Sequence, residues 1–449
     1  MRIGLVSYEF PPQQGLGGVG SYMFRLANAL GQAGHEVHVI AGPSSFPTIR
    51  QPNVQLHRIP AHYELDSSNP AFRWLYWRGF ARTMNWMHPA IWHWLKWNLA
   101  SYDAIRDLHA AQPLDLIEVP EHAANGMMAG KIHRWPIVMR MHCPWDLFVR
   151  INRFGFNPMH RVLSYLERRT AARVPDGITV PSEAMRRELA RSWVLPRQPI
   201  IVPNFMDVPD EASPLPTDLD AAPIVCIGRV EPLKGQDVLV RAFAKIAAKH
   251  PHSRLFIVGP DRWPGKRRFA ELLPDLVPDP QIRRRIDLYG AIPLHEVPAL
   301  LKTARLVIVP SRGFESFSFA VLEAMAAARP VIASNVGAMP ELVDDGQTGL
   351  VFPSGNADAL GTAMSHLLSD RAVAQKMAYQ GHAKARQTYH TPLVVPRIMA
   401  AYEDASDYFY QVRAAGGPAT AGQWRRAIEA GRNSAGCASE PTFVSSGGV

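Results

Sequence analysis

The chain has 449 residues, too many for one ordinary core, and its 47% apolar content supplies material for two or more domains. Its net charge is +9, 19% of residues are charged, and Cys143, Cys226 and Cys437 are far apart without metal-ligand spacing. Disulfides and a cysteine-based zinc site are therefore not expected, and no apolar run approaches the 18 residues of a membrane-spanning helix.

The N-terminal MRIGLVSYEFPP reads as a strand entering a loop and lacks a signal-peptide core, so a reducing cytosol is the expected location. After strand Arg2–Tyr8 come a Gly-rich loop, an amphipathic helix Ser21–Gly31 and a strand Glu36–Ala41. Gly15, Gly17 and Gly20 fit the dinucleotide fingerprint GxGxxG. However, the turn Phe10–Leu16 is long, with Pro11 and Pro12 in it, and the second strand ends HVIAGPS with no acid for an adenosine ribose.

Residues 72–97 hold six of the eleven tryptophans beside Arg73, Arg78, Arg82 and Lys96. That mixture suits a packed core or acceptor groove first and a peripheral membrane contact second. Residues 1–200 carry 22 Lys and Arg against 14 Asp and Glu. The excess fits an anionic partner, such as a membrane surface or phosphorylated acceptor, or simply a soluble basic surface. No nucleic-acid signature accompanies it.

Further strands read at Leu114–Val119, Pro136–Met141 and Gly177–Val180, and the second of these runs into His142. A Pro/Asp-rich stretch at 208–222 reads as a linker. Beyond it come strand Ile224–Ile227, helix Gln236–Lys249 and strands Leu255–Val258, Ile286–Tyr289, Leu306–Val309 and Pro330–Ala333. Short apolar strands alternating with helices indicate two α/β domains with parallel sheets. The division expected is 1–205, a linker at 206–222, a second domain at 223–390, a helix within 391–413, and a Gly/Ala/Ser-rich, disordered tail at 414–449.

Two motifs carry chemistry. Arg229 and Lys234 in GRVEPLKGQDVLVRAF follow a strand end and precede a helix, within reach of a cleft. In RGFESFSFAVLEAMAAARP, Glu315 falls in the loop after an apolar strand and Glu323 inside the next helix. Taken alone, the two glutamates could be ordinary helix-start acids. Together, free helix N–H groups suit a phosphate and the carboxylates suit sugar hydroxyls, which is the shape of a nucleotide sugar.

The Glu315–Glu323 segment resembles the Glu-x7-Glu motif of the retaining glycosyltransferases of family 4. The likeness extends through Glu341–Leu360 and over most of residues 1–410. It implies the GT-B fold, an α/β architecture of two Rossmann-like domains facing each other across a cleft, with the C-terminal helix crossing back to the first. Gly17 and Gly18 resemble the family's GGxGxY loop, which approaches the donor phosphate or the reacting sugar. Arg229 and Lys234 would take the pyrophosphate, and Glu315 with the backbone of Ser316, Phe317, Ser318 and Phe319 the sugar and diphosphate. Glu323 would hold the ribose hydroxyls, the backbone at Gly290–Ile292 the base, and His142 would lie under the transferred sugar. HCP stands where relatives often have Thr or Gly after the His, which leaves the neighbouring contacts open. Glu121, His122 and Asn125 are assigned to the acceptor side.

The implied reaction moves a hexosyl group from a nucleoside diphosphate sugar to a glycan, lipid-linked or small hydroxyl acceptor, by front-face substitution with retention. No cofactor or metal is expected, because cations and a helix N-terminus can replace one. A sugar phosphorylase on the same fold and a non-catalytic nucleotide- or membrane-binding relative are the rival readings.

Overall fold

The computed structural model describes residues 1–11, 17–44, 51–60, 89–122, 125–126, 135–151, 158–265 and 267–413. Gly15, most of the tryptophan-rich segment and the tail 414–449 lie outside the described residues.

Apolar runs such as IGLVS, VHVIA, IVCI and LVIV form strands buried on both faces, as parallel sheets require. The first sheet contains β1 (Arg2–Ser7), β2 (Glu36–Ala41), β3 (Val54–Arg58), β4 (Leu116–Pro120), β5 (Ile137–Arg140), β6 (Gly177–Val180) and β7 (Ile200–Ile201). Its strand order is β3-β2-β1-β4-β5-β6-β7. The second contains β8 (Ile224–Ile227), β9 (Leu255–Val258), β10 (Ile286–Tyr289), β11 (Leu306–Val309), β12 (Val331–Ser334) and β13 (Leu350–Phe352), in the order β10-β9-β8-β11-β12-β13. All recorded strand pairs are parallel, so the two Rossmann-like domains are as expected. The strand order reverses between β1 and β4, and again between β8 and β11. In such sheets the crevice beyond the carboxyl ends at the reversal is where ligands bind.

Three strands escape the sequence reading. β3 is half-buried at the edge, β7 has two residues, and β13 has three. Edge position and brevity leave too little apolar pattern to recognise.

The helix Thr391–Arg413 crosses back to the first domain, burying Val394, Ile398, Ala401, Tyr402 and Ala405 against β5, β6 and the helix Gly18–Gln32. Tyr402 donates its hydroxyl to buried Glu118 at 2.7 Å, and Arg197 pairs with Asp404. The two chain crossings between domains are bonded to each other. Met206 N–H donates to Tyr389 O, Thr391 N–H to Met206 O (both 3.1 Å), and Val208 N–H to His390 Nδ1 at 3.0 Å. The linker at 208–222 is not slack: Leu215 joins the second core, and buried Arg329 donates to the carbonyls of Ser213 and Pro214. A guanidinium out of water needs such acceptors, and the linker supplies them.

Candidate active site

The second domain's contribution lies past the ends of β8 and β11. A 3-10 turn Pro232–Lys234 leads into helix Gln236–Ile246 through Gly235, at φ 71°. A Cβ on Gly235 would come within 2.0 Å of Pro310 O, so only glycine lets this turn lie against the β11 loop. That contact brings Lys234 Nζ to Glu315 Oε1 at 2.5 Å, and Ser311 Oγ donates to the same oxygen at 2.7 Å. Arg229 pairs with Glu231 at 3.1 Å. Gly337 takes φ 55° and packs on the Glu315 backbone, while Ala338 N–H donates to Glu315 O.

The helix Phe319–Ala326 begins at Ser318, whose hydroxyl accepts from Val321 N–H. Ser316 offers its carbonyl to Ser182 Oγ of the first domain at 2.7 Å, and Phe317 packs edge-on against Tyr389. Glu323, one turn in, accepts from Arg25 Nη2 of the first domain at 2.8 Å. Burial pushes its carboxyl up, and Arg25 opposes that shift. Beyond β9 and β10, Ile292 lines a cavity of about 380 Å³ with Phe256, Val258, Tyr289, Glu296 and Leu300, and Gly290 accepts from Gly259 N–H at its edge. The cavity has the apolar lining and size of a binding site for a small ring.

Across from it, the first domain presents the ends of β1, β4 and β5. Gly17 caps the helix Gly18–Gln32 and donates its N–H to Glu9 at 3.0 Å, with Gly18 exposed beside it. Glu121 is buried, its carboxylate accepting from the N–H groups of His142 (2.8 Å) and Cys143 (2.5 Å). Burial raises this carboxyl to about 7, against those two donors. His142 is buried with its ring edge-on to Tyr22, and burial with the nearby Arg140 cation holds it well below the ordinary imidazole range. It is therefore neutral, and its buried Nε2 has no hydrogen-bond partner among the described residues. Such an orphan costs about 1–3 kcal/mol until something bonds to it.

His122 is exposed, while Asn125 is buried, its Oδ1 accepting from Trp97 Nε1–H (2.6 Å) and its Nδ2 donating to the His122 carbonyl (2.7 Å). Of the tryptophan-rich segment, Trp97 is thus core, at 6% exposure. The structure brings Lys234, Glu315 and Ser311 into contact and sets Arg229 apart with Glu231. Arg25, Ser311 and the Phe256–Tyr289 wall were missed by sequence reasoning, and among them only Ser311, four residues before Glu315, carried a local signal. No group of three His, Cys, Asp or Glu among the described residues could hold a metal ion.

Residues 16–209 match the family described as Glycosyltransferase Family 4, and residues 221–370 match Glycosyl transferases group 1. The phosphatidyl-myo-inositol mannosyltransferase of Mycolicibacterium smegmatis is 27% identical over 93% of this chain and 97% of its own. Among solved structures, sucrose-phosphate synthase from Thermosynechococcus elongatus superposes with a TM-score of 0.71 at 22% identity, covering 90% of this chain and 98% of that one. Anabaena HepE in complex with UDP-glucose gives 0.64 at 17%, covering 90% and 99%. Two Rossmann-like domains, each with its charged and glycine-bearing loops at the strand-order reversal, and matches over both halves make this chain a glycosyltransferase of family 4, group 1, with the GT-B fold.

Proposed function

We propose that the enzyme transfers a hexosyl residue, with retention, from a nucleoside diphosphate sugar to a hydroxyl acceptor and needs no metal. The observation that carries this is the Lys234–Glu315 pair at the mouth of helix Phe319–Ala326. It holds a cation where a leaving diphosphate would meet both an ammonium and the positive end of a helix. Arg229, only 38% exposed on its side chain, adds a second cation once the diphosphate competes with Glu231. Glu323 takes the ribose hydroxyls and the cavity beside Ile292 takes the base.

His142 lies under the sugar, where its neutral ring and orphaned Nε2 suit a hydroxyl partner rather than a proton transfer. No side chain is assigned as a covalent nucleophile. The bond from the anomeric carbon to the diphosphate oxygen breaks, the acceptor's hydroxyl oxygen bonds to that carbon on the same face, and the departing phosphate takes the hydroxyl proton. Closure of the domains excludes water from this step.

Envelope glycan, polysaccharide or glycolipid synthesis is the setting we favour, supported by the named acceptor of the M. smegmatis relative. The basic excess of residues 1–200 suits work in the cytoplasm at the inner face of a membrane. Among the described residues no helix is long and apolar enough to cross one.

A thermal-shift panel of UDP, GDP and their sugar conjugates, with chelator present, tests the donor site. Ligand at about 100 times its dissociation constant adds roughly 2.7 kcal/mol of stability. A shift with one base supports the reading and names the donors for acceptor screening. No shift in a folded sample points instead to the phosphorylase or to a non-catalytic relative, and turnover dependent on inorganic phosphate singles out the phosphorylase. Lys234→Ala should lower turnover by two orders of magnitude or more with folding intact. Unchanged turnover would remove Lys234 from the mechanism.

A further inference from the structure

Arg25 stands on the helix Gly18–Gln32 of the first domain, yet both of its specific contacts are in the second. Its Nη2 donates to Glu323 Oε1 at 2.8 Å, and its guanidinium carbon lies 5.2 Å from the centre of the Phe319 ring. Phe319 and Glu323 are four residues apart on one helix, so they form a single face and one side chain grips both. The side chains of Arg25 and Glu323 are 26% and 13% exposed, which sets this pair apart from the mobile ion pairs of an open surface. A glutamate has three rotatable bonds. A fixed donor on one oxygen selects one orientation and leaves the other oxygen to accept hydroxyl hydrogens.

We propose that Arg25 is a positioning residue that orients the Glu323 carboxylate for the donor's ribose, so that the nucleoside is read only when both domains contribute. This rests on Glu323 being the ribose acceptor. Burial favours the protonated carboxyl and leaves a net upward shift, and Arg25 works against it, toward the acceptor-only form that a pair of ribose hydroxyls requires.

The test is calorimetric binding of UDP and GDP and their 2′,3′-dideoxy counterparts to the full chain and to Glu323→Ala, Arg25→Gln, Arg25→Lys and the Arg25→Gln/Glu323→Ala double variant. Wild type should prefer the ribose form by about tenfold or more, the worth of a hydrogen bond to a charged group. Glu323→Ala should abolish the preference, Arg25→Gln should remove most of it, and Arg25→Lys should recover part. The double variant should be no worse than Glu323→Ala alone. A merely structural Arg25 would shift ribose and dideoxyribose forms equally, and unchanged dideoxy affinity also certifies that each variant is folded. If wild type binds neither diphosphate, or Glu323→Ala keeps the preference, the donor-site reading fails. If Glu323→Ala loses it and Arg25→Gln keeps it, Arg25 does not position the carboxylate.

Discussion

Glu121 shows how one buried carboxylate can shape a site through the backbone it holds. It holds the backbone of His142 and Cys143 at the end of β5, and burial raises its carboxyl from 4.5 to about 7. Between those two values the native state keeps a proton that the unfolded chain releases. The contribution to stability is therefore full below about 4.5 and lost as pH rises through about 7, a change on the order of 3 kcal/mol. Urea midpoints across pH 5 to 7.5 should show wild type losing stability relative to Glu121→Gln. Parallel curves would mean that the carboxyl does not titrate in that window. Lys234, Glu315 and His142 stood out in the sequence as candidates because each follows a strand end, and Glu323 because it falls inside the helix after Glu315; the roles expected of them came from the resemblance. Arg25 did not, since its partner lies 298 residues away and nothing local marks the contact. Asn125, expected on the acceptor side, bonds through its amide to Trp97 and to the His122 carbonyl, contacts that its place in the sequence did not reveal.

At the scale of elements, the loop bearing Glu315 is held by a neighbour rather than by itself. A Cβ on Gly337 would sit 2.1 Å from Glu315 O and 2.6 Å from its N, with φ already at 55°. Gly337→Ala should cost about 1–2 kcal/mol in backbone strain alone and displace the Glu315 loop as well. Turnover should fall at least tenfold, read by steady-state kinetics beside thermal melting. Gly355→Ala makes a matched control, because Gly355 has φ 78° but nothing within 4 Å of the added carbon. It should share the strain and keep the turnover; equal losses in both variants would count against a special role for the Gly337 contact. Strands β1, β2, β4 to β6 and β8 to β12 could be read from apolar runs. The base-sized cavity could not, because Phe256 and Tyr289 come from strands adjacent only in the folded sheet.

For the molecule as a whole, the helix Thr391–Arg413 belongs to the first domain's core although it ends the described chain. Ending the chain at residue 390 would remove Val394, Ile398, Ala401, Tyr402 and Ala405 from the core that holds Ile3, Leu5 and Leu26, and would take the Tyr402 hydroxyl from Glu118. Large-to-small changes in such cores cost about 2–5 kcal/mol each, so removing several partners at once exceeds a domain's typical margin. The truncated protein should lose cooperative melting of the first domain while the second still binds whichever nucleotide stabilises the full chain. Retained two-domain melting would show the helix to be dispensable.

The two crossings between domains, near Met206 and His390, lie side by side and share backbone hydrogen bonds. Two anchored strands on one line leave a pair of bodies almost a single rotational degree of freedom, as a door has. Opening would then carry Ser182 away from Ser316, Arg25 from Glu323, and the Glu183 and Ala184 N–H groups from Glu341, in fixed proportion to their distance from that axis. One spectroscopic ruler placed far from the axis would therefore report the position of every group in the cleft at once.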